Sequence, residues 1–218
     1  MSHIALFPIP DCVAFPHTVY PIHVFEPRYR KMVQHCLDTD TPMGLCHTLK
    51  QLKAADAEQS LEQRMQSNQA TYKPVTVFSA GRCELLKTLE DGRLLINIHL
   101  NARYKLGESV QTLPFTIADC EPLTDLVMDD EQQRSALLTK DKIMQRLLAI
   151  THEMPDAQSI LKSEEWQHKD VTAFSFQLFQ FLHFDSDIMQ ILLESNQVPE
   201  RLEHILKLLN NQWTSDAE

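Results

Sequence analysis

Five prolines fall within the first twenty-seven residues, at Pro8, Pro10, Pro16, Pro21 and Pro27, and they restrict what this chain can fold into more than any other feature. Proline holds φ near about −65° and brings no backbone donor, so Ile4 to Phe7, Val13 to Phe15 and Val19 to Phe25 are expected as short extended pieces ending at kinks. A helix start comes next. Glu26 precedes proline and is biased toward the extended backbone that an N-cap residue adopts, while Pro27 suits the first helical position. Tyr29, Met32, Val33, Cys36 and Leu37 then recur at helical spacing as one apolar stripe, and Glu26 with Arg30 makes an i,i+4 pair in the favourable order. The predicted role is structural, a capped helix locking a β-rich unit, because exposed charge pairs contribute under about 1 kcal/mol.

Further along, Asp91-Gly92 stands between the apolar runs Arg82 to Leu89 and Leu94 to Leu100, the strongest short-range signal for a hairpin. Ile96, Ile98 and Leu100 alternate with Asn97 and His99 as a half-buried strand requires. A further strand is expected from Leu113 to Cys120. Between Met43 and Lys73 only Gly44 to Leu49 reads as extended, and residues 51–70 read equally as a short helix or a mobile loop.

The second half reads as helical. Asp129 to Glu153 carries Leu137, Met144, Leu147 and Leu148 on one side, with acids at its start and His152 at its end to match the helix dipole. Val171 to Phe184 holds five of the chain's ten phenylalanines and is apolar nearly all round, which places a helix in the middle of a bundle. Those rings are expected in the core rather than on a surface for unfolded segments, since monomers rarely expose large apolar patches. Asp185 or Ser186 caps the next helix, with Ile188, Ile191 and Leu192 as its stripe. Pro199 opens the last, striped by Leu202, Ile205, Leu206 and Leu209. Four or five helices are expected.

Charge divides the chain in the same place. Residues 1–120 hold twelve acids and twelve bases, so the whole net charge of −10 resides in 121–218. The reading is therefore a domain at 1–121 and an acidic helical bundle at 122–218. Neither half offers the basic footprint that phosphate contacts need, which argues against nucleic acid. Val171 to Phe184, the longest uncharged run, is shorter than the roughly 20 residues of a spanning helix. The opening residues lack a basic leader, so neither membrane nor secretion is expected. Five scattered cysteines with no C-x-x-C fit a reducing cytoplasm. His23, His35, Cys36, Cys46 and His47 lie close in sequence without metal-ligand spacing, so no metal is expected. The four isolated glycines form no phosphate cradle, and no G-x-S-x-G elbow occurs, so neither a nucleotide cofactor nor serine catalysis is expected.

Several runs together resemble a known family. Ile4-Ala-Leu-Phe-Pro-Ile-Pro10, Phe15-Pro16 and Pro21-Ile-His-Val-Phe-Glu-Pro-Arg-Tyr-Arg-Lys-Met32 are similar to the opening of the N-terminal substrate-recognition domain of the ATP-dependent protease Lon, found also in small stand-alone proteins. Ala80 to Leu85, Glu90 to Leu94 and Asn101 to Leu106 follow in the order of its later motifs, and Leu192-Leu-Glu194 with Glu200-Arg-Leu-Glu203 resembles its helical tail. In that pattern glycine usually stands at His17 and Asn101, and phenylalanine at Tyr104. Turn geometry at 17 and 101 is thus where this chain departs, since glycine reaches φ > 0 freely and histidine does not.

The resemblance implies an α+β protein in which a β-rich pseudo-barrel of PUA type precedes a helical bundle. Pro21, Phe25, Glu26, Pro27, Arg28, Tyr29 and Arg30 carry the family motif. The implied function is recognition of unfolded or exposed apolar polypeptide segments, with the Lon protease system among the implied partners and no ATPase or protease activity of its own. Phe15, Tyr20 and Phe25 are the candidate peptide contacts, although each reads first as a core residue. The alternative is a small enzyme or small-ligand protein with a site in the cleft between the halves.

Overall fold

The computed structural model describes residues 1–54 and 67–213, and the chain divides into two compact units, Met1–Leu123 and Thr124–Glu218. In the first, the elements run β1 (Ser2–Pro8), β2 (Thr18–Val24), α1 (Pro27–Thr39), β3 (Met43–Cys46), β4 (Thr48–Lys53), β5 (Thr71–Pro74), β6 (Val77–Thr88), β7 (Leu94–Gln111) and β8 (Ile117–Pro122). Six strands form one sheet in the order β2-β7-β6-β3-β1-β8, and pairing of β7 with β8 closes it into a barrel. Closure removes the edges of those five ring strands. β1 and β3 are parallel, joined through β2 and α1, while the other pairs are antiparallel. Strands β4 and β5 stand apart as a two-stranded ribbon.

Alternation along β1 shows how the barrel is filled. Ile4 and Leu6 join Cys46, Phe78, Ala80, Ala118 and Cys120 in one cluster, and Ala5 and Phe7 join Tyr29, Met32, Val33 and Cys36 of α1 in another. A strand whose two faces are both covered must be apolar at every position, and Ile4 to Phe7 is. Gly44 is small for a steric reason: a Cβ there would lie 2.4 Å from the Phe78 ring. Gly92, with φ at +81°, turns the β6–β7 hairpin where Asp91-Gly92 predicts it.

Several expectations shift. Val13 to Phe15 is buried but forms no strand, and the Ala14 carbonyl accepts from Ser79 Oγ at 2.6 Å in place of a strand neighbour. The second hairpin arm runs on past Leu100 to Gln111 because β7 exchanges β2 for β8 as its neighbour midway. The strand expected from Leu113 begins at Ile117, since residues 112–116 form a loop tied by Gln111 Nε2 donating to the Phe115 carbonyl at 2.9 Å. Strands β4 and β5 add extended structure where only Gly44 to Leu49 was expected, and the rest of the helix-or-loop stretch lies outside the described residues. Leu37 falls off the buried stripe of α1 and is 37% exposed.

The second unit holds α2 (Asp130–Ile150), α3 (Pro155–Leu161), α4 (Glu164–Gln167), α5 (Val171–Gln177), α6 (Ser186–Glu194) and α7 (Val198–Trp213), more helices than expected. Asp129 and Gln132 make a reciprocal capping box at the start of α2. Its buried face is Ala136, Thr139, Lys140, Ile143, Met144 and Leu147, so Met144 and Leu147 of the expected stripe are buried while Leu137 is 44% exposed. Lys140 lies on this face and points inward, its Nζ donating to the carbonyls of Gln167 at 2.9 Å and Lys169 at 2.6 Å. The long helix expected over Val171 to Phe184 stops at Gln177 and tightens into a 3₁₀ turn over Leu178–Gln180. That turn brings Phe181 edge-on to Trp166, which also meets Phe174. Phe174, Phe176 and Phe184 are buried as a core reading requires, with Phe179 and Phe181 half-buried. In α6 the buried residues are Met189, Gln190, Leu192 and Leu193, with Ile191 56% exposed.

Arg201 sits at the centre of this unit at 1% exposure. It grips Asp125 through both Nη atoms at 2.9 and 2.8 Å, donates from Nε to Ser175 Oγ and from Nη1 to the Ser195 carbonyl, and lies 4.0 Å from the Phe176 ring centroid. A buried guanidinium is tolerable only when its donors are met in this way.

Candidate functional site

Two concavities in the first unit share a wall made by Pro8, Arg28, Tyr29 and Tyr72, and the Phe25 to Arg30 motif builds that wall. Glu26 takes the N-cap position in extended backbone with no side-chain cap of its own. Its carboxylate turns instead to Arg28 Nη2 at 2.9 Å and accepts from the Gln69 amide at 3.0 Å. The i,i+4 partner expected for Glu26 was Arg30; the short contact is with Arg28, because Arg28 faces the same incoming segment. Asn68 Oδ1 accepts from the Arg28 amide, and the Arg28 guanidinium donates to Thr71 Oγ1 at 3.0 Å and the Ala70 carbonyl at 2.6 Å. Residues 68–71 are thus latched to the start of α1. A side chain forty residues away, Asn68, satisfies an amide that a local cap would otherwise serve.

The neighbouring motif residues face elsewhere. Tyr29 packs on Phe7 with ring centroids 4.2 Å apart and lies under the Arg28 guanidinium at 4.6 Å. Burial pushes its phenol up to about 12, partly opposed by the Arg28 charge. Arg30 reaches the hairpin turn, Nη1 donating to the Gly92 carbonyl at 3.3 Å. The motif therefore ties α1 to the ribbon by Glu26 and Arg28, to β1 by Tyr29 and to the β6–β7 turn by Arg30. Pro21 is exposed on β2 opposite Asn97.

The first concavity, about 300 Å³, is lined by Phe7, Ile9, Ile22, Phe25, Tyr29 and Tyr72 among others. The second, about 490 Å³, lies between the ribbon residues Leu52, Lys53 and Thr71 to Pro74 and the loop residues Thr112 to Thr116, with Leu6 and Leu106 behind. Both volumes suit large side chains or a small ligand. Of the three candidate contact residues, Phe25 lines the first of these two concavities, and Phe15 and Tyr20 line neither. Phe15 is 2% exposed. Tyr20 is half-buried against the α1 cluster, its hydroxyl accepting from Cys12 Sγ at 3.1 Å. Burial raises the Cys12 thiol, and burial likewise raises the Tyr20 phenol. Tyr72, Leu52 and Leu113 carry as much of the site as Phe25 does, and periodicity did not single them out. Only Thr71-Tyr72 before Pro74 hints at an edge strand.

Burial raises the Cys36 thiol to about 12 and the Cys83 thiol to about 11, the latter also facing the Glu84 charge. Thiols held protonated are poor nucleophiles and metal ligands. Among the described residues no three His, Cys, Asp or Glu side chains are grouped to hold a metal ion, and no helix is long and apolar enough to cross a membrane.

His17 keeps the left-handed backbone at φ 62°, its amide donating to the Leu100 carbonyl at 2.8 Å. The turn that a glycine would make is retained with a histidine in it.

Among the solved structures that this chain resembles, two share its fold over nearly its whole length. The Lon N-terminal domain protein from Xanthomonas campestris matches with a TM-score of 0.58 at 19% identity, over 95% of this chain and 98% of that one. The N-terminal domain of Mycobacterium avium complex Lon protease matches with a TM-score of 0.65 at 14% identity, over 99% of each chain. At these identities the likeness is one of fold. The sequence itself matches the family model of the ATP-dependent protease La (LON) substrate-binding domain over residues 3–211, and the chain belongs to that family.

Proposed function

We propose that this protein is a non-catalytic recognition module that binds exposed apolar stretches of polypeptide, with residues 1–121 as the recognition domain and 122–218 as a second, acidic domain. It acts in the cytoplasm on client proteins of the Lon protease system. One observation carries this reading: two adjoining concavities, mostly apolar, sit on either side of the family motif, and Phe25, Tyr72, Leu52 and Leu113 present large apolar groups within them. Concave apolar surface beside a polar wall suits side chains from a partner, while backbone groups on the ribbon can pair with an extended chain. The division of the chain after Leu123 supports treating the two parts as separate domains.

The test is fluorescence polarisation of the intact protein against peptides tiled from a denatured globular protein, with and without ATP. Apolar peptides are expected to bind weakly and equally in both conditions, and Tyr72→Ala is expected to weaken them several-fold by removing a wall common to both concavities. Failure to bind across the whole set would falsify the reading.

A further inference from the structure

The larger concavity has a charge pattern that selects among apolar peptides. Among the described residues, three cations line it, Arg28, Lys53 and Lys73, and no aspartate or glutamate does. Arg28 is matched by Glu26. Lys53 and Lys73 are exposed on facing strands of the ribbon, and among the described residues neither has an ion-pair partner. The remainder of the lining is chiefly neutral and apolar. Leu52, on the ribbon, is 57% exposed, and Leu113, on the opposite loop, is 81% exposed. A single exposed leucine is ordinary, but two on opposed walls of one concavity form a place for a third apolar group.

We infer that this concavity takes an extended polypeptide segment in which a large apolar side chain is flanked by aspartate or glutamate. The apolar group sits between Leu52 and Leu113, and the neighbouring carboxylates meet Lys53 and Lys73. This deepens the proposed function and rests on it. A side-chain carboxylate is favoured over a polyanion because the first 120 residues hold equal numbers of acids and bases. Two local lysines serve a pair of carboxylates and give no extended track for phosphates. Exposed lysines set selectivity and association rate more than affinity.

The experiment is fluorescence anisotropy of the full chain with labelled, C-terminally amidated peptides built around one Phe-Leu pair, flanked by Glu, Gln or Lys. The Glu peptide is expected to bind roughly tenfold tighter than the Lys peptide at low salt, with Gln between, and the difference is expected to shrink as salt rises. Lys53→Glu with Lys73→Glu is expected to reverse that order, and Leu113→Asp to weaken the Glu and Gln peptides. All three residues lie at the surface, and unchanged melting of the variants checks that folding is intact. Equal binding of the three peptides would overturn the charge selectivity while leaving apolar recognition standing. An acidic preference untouched by the lysine reversal would overturn its location, and no binding by any peptide would overturn both this inference and the reading it rests on.

Discussion

At the scale of single residues, the buried charges are those most exposed to experiment. Arg201 spends its donors on Asp125, Ser175 and the Ser195 carbonyl, so Arg201→Met leaves an uncompensated carboxylate and is expected to cost about 3–5 kcal/mol in chemical denaturation. Adding Asp125→Leu is expected to recover much of that loss, because removing both partners leaves no orphaned charge. Stability indifferent to Arg201→Met would show that the pair has no anchoring role. His17 offers the opposite sign. Its left-handed φ of 62° strains a residue with a Cβ, so His17→Gly is expected to stabilise by roughly 0.5–1 kcal/mol once the greater unfolded-state freedom of glycine is subtracted. A fall in melting temperature would contradict that account.

Among the elements, the ribbon of β4 and β5 is the least self-sufficient. Two isolated strands are marginal in water, and this pair borrows its position from α1 through Glu26 and Arg28. Hydrogen exchange is expected to be faster in Thr48–Lys53 and Thr71–Pro74 than in β6 and β7. Arg28→Ala is expected to speed it further at residues 69–73 while leaving the Gly92 turn unchanged; exchange rising evenly over the barrel would mean that the latch is not local. Element starts were readable from sequence wherever local chemistry sets them, as at Pro27, Asp91-Gly92 and Asp129. Ends set by a distant partner were not, as in the extension of β7 beyond Leu100 toward β8.

For the whole molecule, the two units respond oppositely to alkaline pH. All five cysteines are buried in the first unit, and burial raises Cys12, Cys36, Cys46, Cys83 and Cys120 above the ordinary thiol value. The folded state therefore holds protons that the unfolded chain has released, so this stabilisation is complete below about pH 8.5 and is lost as pH rises toward the folded values. In the second unit, burial lowers the ammonium pKa of Lys140. There the unfolded chain binds the extra proton, and the contribution of Lys140 to stability increases as pH climbs toward the ordinary lysine value. Hydrogen exchange between pH 8 and 10 is expected to show protection falling in Met1–Leu123 relative to Thr124–Glu218 once intrinsic rates are divided out; a uniform change would refute the assignment. Local chemistry along the chain was enough for strands before helices and for the helix opened by Pro27, because proline, glycine, periodicity and charge act within a few residues of where they stand, whereas the barrel and the family followed from the likeness of whole runs such as Pro21 to Met32 to a known pattern. Tertiary structure alone decided that Glu26 serves Arg28 and Gln69, that Lys140 and Arg201 turn inward, and that Tyr72, Leu52 and Leu113 share a concavity, because those relations join residues whose separation along the chain carries no local signal.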